Sequence, residues 1–142
     1  MNEEPKQWNF NDIKVGYEIE PIVCSFSGKD VEDFVRLSGD ANPLHVDDEF
    51  AKSKGFAGRL LHGALLASKF SYLVGMIIPG KNGLYISQEL NFHKPILMDE
   101  QFTIKGMVVR KSEATRIVEI KTEIFNSKNE IAVEGRALVK II

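Results

Sequence analysis

Gly63-Ala64-Leu65-Leu66-Ala67-Ser68-Lys69-Phe70-Ser71-Tyr72-Leu73-Val74-Gly75-Met76-Ile77-Ile78 reads as one long helix. Ala64, Leu65, Leu66, Ala67, Phe70, Leu73, Val74, Met76 and Ile77 spread apolar side chains over nearly its whole circumference, so it should be wrapped by other structure. Pro79-Gly80 stops it and Asn82-Gly83 turns the chain. The wider apolar run from Leu60 to Pro79 is interrupted by His62, Lys69 and several small residues, which marks a buried helix rather than a membrane span.

Downstream of this helix the hydrophobic period changes to two. Leu84, Ile86, Leu90 and Phe92 fall on even positions, as do Phe102, Ile104 and Val108, then Val118, Ile120, Thr122 and Ile124, with Ile117 out of phase. Ile131, Val133, Ala137, Val139 and Ile141 fall on odd positions. Short links at Pro95–Glu100, Lys111–Ala114 and Asn126–Asn129 predict an antiparallel, four-stranded meander with one buried face. A buried helix followed by such a sheet is an α+β layout.

Upstream, residues 1–16 read as an arm leading to Val15-Gly16, with 1–11 its N-terminal part, and Tyr17–Phe26 as a strand. Asp30 is the expected N-cap of a short helix with an apolar stripe at Val31, Phe34, Val35 and Leu37, ending at Ser38-Gly39. Asp47-Asp48 is placed to cap a second short helix, Glu49–Lys54.

Composition narrows the classes. A chain of 142 residues is one domain with room for a core, and 44% hydrophobic with 27% charged residues is a globular balance. The net charge of -2 supplies no global basic field for nucleic acid or an anionic membrane, leaving only a local patch open. The single cysteine, Cys24, forms no intrachain disulfide and reads as a buried, inert thiol in the run Ile22-Val23-Cys24. The acidic, polar start Met1-Asn2-Glu3-Glu4-Pro5 is unlike a secretory signal, and a cytoplasmic location is expected.

The chemistry concentrates between the two short helices. Asp40, Asn42 and His45 fall within six residues, on a stretch where Pro43 fixes its own φ and pushes Asn42 toward extended backbone. A rigid, non-helical loop there can aim a carboxylate, an amide and an imidazole at one point. The same residues build Asx turns just as readily. His45, His62 and His93 show no metal-ligand spacing along the chain, and no phosphate-cradling glycine loop is present, so neither a metal nor a cofactor is expected. His93, on the odd face of its run beside Lys94, reads as a solvated strand end.

Phe34-Val35-Arg36-Leu37-Ser38-Gly39-Asp40-Ala41-Asn42-Pro43-Leu44-His45 resembles the signature of the MaoC-like, (R)-specific enoyl-CoA hydratases: an aromatic residue, then a small residue, Gly, Asp, any residue, Asn-Pro, an aliphatic residue and His. Leu61-His62-Gly63-Ala64-Leu65 is similar to that family's His-Gly turn into a central helix, and Gly80-Lys81-Asn82-Gly83 and Asn91-Phe92-His93-Lys94-Pro95 add support. The likeness spans residues 12–142.

The resemblance implies a single hot-dog fold, a homodimer with a shared sheet, and reversible syn hydration of a trans-2-enoyl thioester to an (R)-3-hydroxyacyl thioester. It implies that Asp40 and His45 exchange protons with one water and that Asn42 orients the pair or the water. The Gly63 N–H, free at a helix start, would hold the developing enolate oxygen. His62 would orient the pair. Ser71 and Val74 would face the acyl chain, although a serine bonded to its own helix and a valine in the core fit those positions as well. Arg59, Lys81, Lys94, Arg110 and Arg136 are the candidate cations for the phosphates of coenzyme A, the substrate's own carrier. A dehydratase working in reverse on an acyl-carrier-protein thioester, a hot-dog thioesterase and a non-catalytic acyl-thioester binder are the competing functions.

Overall fold

The computed structural model describes residues 3–142, and three short α-helices lie between the first strand and the long helix. Helix α1, Gly28–Ser38, is opened by Ser27 rather than by Asp30. The Ser27 hydroxyl accepts from the Asp30 N–H at 3.2 Å while the Asp30 carboxylate accepts from the Ser27 N–H at 2.8 Å. This reciprocal box satisfies two orphan donors where a cap at Asp30 would satisfy one. The helix ends where Gly39 takes φ 79, a left-handed conformation that glycine adopts at little cost. Helix α2, Pro43–Val46, is a single turn inside the segment expected to be irregular. Pro43 starts it because its missing N–H is no loss at the first position and its φ suits a helix. Helix α3, Asp48–Ser53, is capped by Asp47, whose carboxylate accepts from the N–H groups of Glu49 and Phe50.

The long helix is α4, Gly63–Tyr72, continued by a π-helical turn over Leu73–Ile77. Leu65, Leu66, Phe70, Leu73 and Val74 are buried in the core, whereas Ala64, Ser68, Ser71 and Gly75 are exposed. The expected all-round wrapping is therefore half right. The bulky residues are covered, and small residues form an open side that average hydrophobicity did not separate from them.

Six strands form one antiparallel sheet: β1 Ile22–Cys24, β2 Gly83–Gln88, β3 Asn91–Phe92, β4 Phe102–Ser112, β5 Ile117–Phe125 and β6 Ile131–Ile141. Their order is β1-β4-β5-β6-β2, with β3 also paired to β6. The meander holds for β4-β5-β6, but β2 and β3 do not lie beside β4. They cross to the far side and pair with β6. The expected strand Tyr17–Phe26 is reduced to β1 plus an isolated bridge from Glu18 to Met107, because Pro21 between them has no N–H to give the ladder.

Phe102, Ile104, Val108, Val118, Ile120, Ile124, Val133, Ala137 and Val139 alternate inward and meet α4 in a single core. Each of these valine, isoleucine and phenylalanine side chains contributes about 1.5–3 kcal/mol on burial. The phase fails on β2 and β3, where Tyr85 packs inward and Leu84, Ile86 and Phe92 stand exposed. The N-terminal arm is part of the core: Phe10 and Ile13 are buried, and the Trp8 indole donates to the Ile77 carbonyl at 2.9 Å. Cys24 is only half-buried, and that burial raises its thiol above the usual range against the pull of Lys69. Among the described residues no helix is long and apolar enough to cross a membrane.

Candidate active site

Asn42 has extended backbone, φ -55 and ψ 133, as the proline after it requires. Its Oδ1 accepts from the Leu44 N–H at 3.0 Å and so caps the turn that carries His45. The Asp40 Oδ1 accepts from the Asn42 N–H at 3.1 Å. The Asx-turn reading and the site reading are thus both true of these residues. The turns lock the loop, and one carboxylate oxygen of Asp40 and one imidazole nitrogen of His45 are left over.

The tautomer of His45 follows from its contacts. Nδ1 lies 2.7 Å from the Leu60 carbonyl, an acceptor only, so it carries the hydrogen. Nε2 then presents a lone pair when the ring is neutral. The His45 and His62 rings stack with centroids 3.8 Å apart, and Phe34 tilts against the other ring at 4.7 Å. His62 is 2% exposed, its Nε2–H donates to the Asp40 carbonyl at 2.9 Å, and its Nδ1 is buried with no partner. A bare lone pair suits that orphaned Nδ1, since a second N–H there would be buried unpaired. His62 therefore props both members of the pair: its face supports His45 and its edge fixes the backbone of Asp40.

One donor atom each from Asp40, His45 and His62 fall within 4.8 Å of one another, with the Asp40 side chain half exposed. Two imidazoles and a carboxylate are groups of the kind that hold a divalent ion, but the His62 Nε2–H is spent on the Asp40 carbonyl and its Nδ1 is buried, so His62 offers an ion no accessible lone pair. Spacing along the chain gave no hint of this group, because the fold brings His62 to the other two from the far side of α3.

His62 is the N-cap of α4 but makes no side-chain cap bond, unlike Ser27, Asn42 and Asp47 at the other helices. The first N–H groups of α4 stay free, at the positive end of its dipole. Gly63 leads from this point into a cleft of about 690 Å³ lined by Leu61, Gly63, Ala64, Leu90, Phe92 and Pro95 among others. A methyl group added at the Gly63 Cα would lie 2.7 Å from Cε1 of Phe92. The glycine thus makes room for the Phe92 ring, a role not foreseen from the sequence.

Asp40 and His45 do not line this cleft. They stand beside it, joined to it through the His62–Gly63 peptide. Val74 belongs to the core, and Ser71 is exposed and outside the cleft lining. Of the candidate cations only Lys94 lines the cleft, next to His93, which pairs with Glu134 at 3.0 Å. Lys94 is itself paired with Glu130, Lys81 with Glu4, Arg136 with Glu119 at 3.2 Å, and Arg110 with the same glutamate at 3.9 Å. Arg59 is tucked between Asp48 and the Met98 sulfur.

The MaoC like domain family matches residues 11–129 of the chain. The (R)-specific enoyl-CoA hydratase of Aeromonas caviae is 39% identical over 82% of this chain and 87% of its own length. A mitochondrial 3-hydroxyacyl-[acyl-carrier-protein] dehydratase of Arabidopsis thaliana is 34% identical over 79% of this chain and 68% of its own. The solved structure of an (R)-hydratase from A. caviae involved in PHA biosynthesis superposes with a TM-score of 0.87 at 36% identity, covering 92% of this chain and 98% of that one.

Proposed function

The chain belongs to the MaoC-like family and has the hot-dog fold, and from that premise we propose that it is an (R)-specific enoyl-CoA hydratase, a hydro-lyase that adds water reversibly to trans-2-enoyl-CoA. The observation that carries this reading is that one donor atom each of Asp40, His45 and His62 lie within 4.8 Å of one another beside the uncapped start of α4.

Syn hydration needs one proton to leave water and another to arrive at C2 on the same face. The Asp40–His45 pair carries one proton when substrate binds. The unprotonated member takes a proton from water as its oxygen bonds to C3, and the protonated member gives its proton to C2. The pair again holds one proton at the end, so the step balances. Positioned acid–base groups of this kind contribute about 10²–10⁴-fold. The electrons of the C2–C3 double bond pass through the thioester oxygen, where the Gly63 N–H receives the charge. Such a donor contributes about 10²–10³-fold. Asn42 and His62 hold the pair in place. Neither metal nor cofactor takes part, and the carrier arrives with the substrate. Run in reverse, the same atoms dehydrate a 3-hydroxyacyl thioester, on coenzyme A or on acyl carrier protein.

The active form is proposed to be a homodimer. β2 and β3 form one edge of the sheet, opposite the three-residue edge strand β1, and carry Leu84, Ile86 and Phe92 half exposed. An apolar, unpaired edge is a ready surface for a second copy. The free Cys24 fits a reducing compartment, and we place the protein in the cytoplasm.

Crotonyl-CoA tests the function. The expected result is loss of the conjugated enoyl absorbance with no free thiol, and a drop in kcat of at least about a hundredfold in both Asp40→Asn and His45→Ala. Near-normal turnover in either folded variant removes that residue from the mechanism. Release of free thiol would identify a thioesterase instead.

A further inference from the structure

Phe92 lies on the two-residue strand β3 and is 55% exposed, with one side of its ring set against Gly63. Three of its ring atoms, Cε1, Cδ1 and Cζ, lie 2.7, 3.0 and 3.1 Å from the place where a Cβ on Gly63 would sit. The ring therefore lies against the first residue of α4 and forms a wall of the cleft there. Among the described residues that line the cleft, Phe92 is the only phenylalanine, tyrosine or tryptophan.

The geometry points to Phe92 as the residue that limits how much bulk the substrate carries at C2. This rests on the hydratase reading, in which the thioester oxygen takes the Gly63 N–H at about 3 Å. C1 is then one bond farther from that N–H and C2 two bonds. C3 is turned the other way, toward the water held by Asp40 and His45. C2 is thus the reacting carbon nearest the Phe92 ring. A hydrogen on C2 passes beside the ring, whereas a methyl group meets it. Gly63 and Phe92 act as a matched pair: the glycine lets the ring come close, and the ring narrows the cleft where the enoyl group seats.

The test is a ratio of two substrates within each enzyme. The kcat/KM for trans-2-methylbut-2-enoyl-CoA is divided by that for crotonyl-CoA, in wild type, Phe92→Ala and Phe92→Trp. The intrinsic sluggishness of the branched substrate is common to all three enzymes and cancels. So does any loss of folded or assembled protein, because both substrates see the same enzyme sample. The expected result is a rise in the ratio of about tenfold or more in Phe92→Ala, the scale on which one methyl group is discriminated in a pocket. In Phe92→Trp the ratio falls below that of wild type. A wild type that hydrates crotonyl-CoA, with the ratio unchanged in both variants, overturns the role of Phe92 and leaves the hydratase reading standing. A wild type that hydrates neither substrate overturns the hydratase reading, and this role with it.

Discussion

Replacing Gly63 by alanine asks whether the cleft at the start of α4 is as tight as its geometry says. The new Cβ would lie 2.7 Å from Cε1 of Phe92, and ordinary contact begins near 3.4 Å, so the ring must retreat by about 0.7 Å. Overpacking a closed core typically costs about 1–3 kcal/mol. Here the ring is 55% exposed and free to yield, so the cost falls at or below the low end of that range. Alanine also favours helix over glycine by up to about 1 kcal/mol. Stability should therefore change by no more than about 1 kcal/mol by urea denaturation. Activity behaves differently, because the displaced ring and the new methyl group both encroach on the thioester seat. A misplacement approaching 1 Å costs on the order of 10²-fold, so kcat/KM for crotonyl-CoA should fall about 10- to 100-fold. The double variant Gly63→Ala/Phe92→Ala removes the clash and should recover at least about a tenfold part of that loss, a coupling of about 1.4 kcal/mol in a double-mutant cycle. Wild-type kcat/KM in Gly63→Ala, or strict additivity in the cycle, would refute the close approach as the cause.

Asn42→Ala removes the cap from the Leu44 N–H and should cost about 1 kcal/mol while lowering kcat through the loosened His45 turn. Asn42→Ser, which restores a capping oxygen, should recover most of that loss. Ile86→Lys, on the open edge strand, should halve the mass seen by light scattering if that edge joins two copies, and an unchanged mass would move the interface elsewhere. Burial pushes the Tyr85 hydroxyl up to about 12 from its ordinary 10, beside the half-buried Gln88, which in turn donates to the buried Thr122. Its contribution to stability is thus intact below pH 10 and lost as pH rises through about 12. A spectrophotometric tyrosinate titration should show one late step in wild type that is missing in Tyr85→Phe.

The central strands were legible because β4, β5 and β6 bury one face and water wets the other, so Ile104, Ile120 and Val139 announce themselves by period. The same period misled on β2 and β3. Alternation fixes which residues share a face but not which face meets the core, and an edge strand that carries Leu84 and Ile86 outward looks like its mirror phase. The crossover of β2 to β6 was hidden for a related reason, since pairing between distant segments leaves no local mark. At the site, Asp40, Asn42 and His45 could be picked out because turn formers and chemistry-bearing groups coincide there. The props could not. The Leu60 carbonyl that sets the His45 tautomer is backbone, and the orphaned Nδ1 of His62 is a fact of burial. Period two puts Phe92 in phase with the buried face, and only its distance to Gly63 gives it a place in the cleft.

The most direct test of the central claim is a structure with (R)-3-hydroxybutyryl-CoA bound. The C3 hydroxyl should lie within hydrogen-bond reach, about 2.6–3.2 Å, of both the Asp40 carboxylate and the His45 Nε2. The thioester oxygen should lie about 2.7–3.1 Å from the Gly63 nitrogen. A hydroxyl that touches neither side chain, or a thioester seated away from the start of α4, would contradict the account.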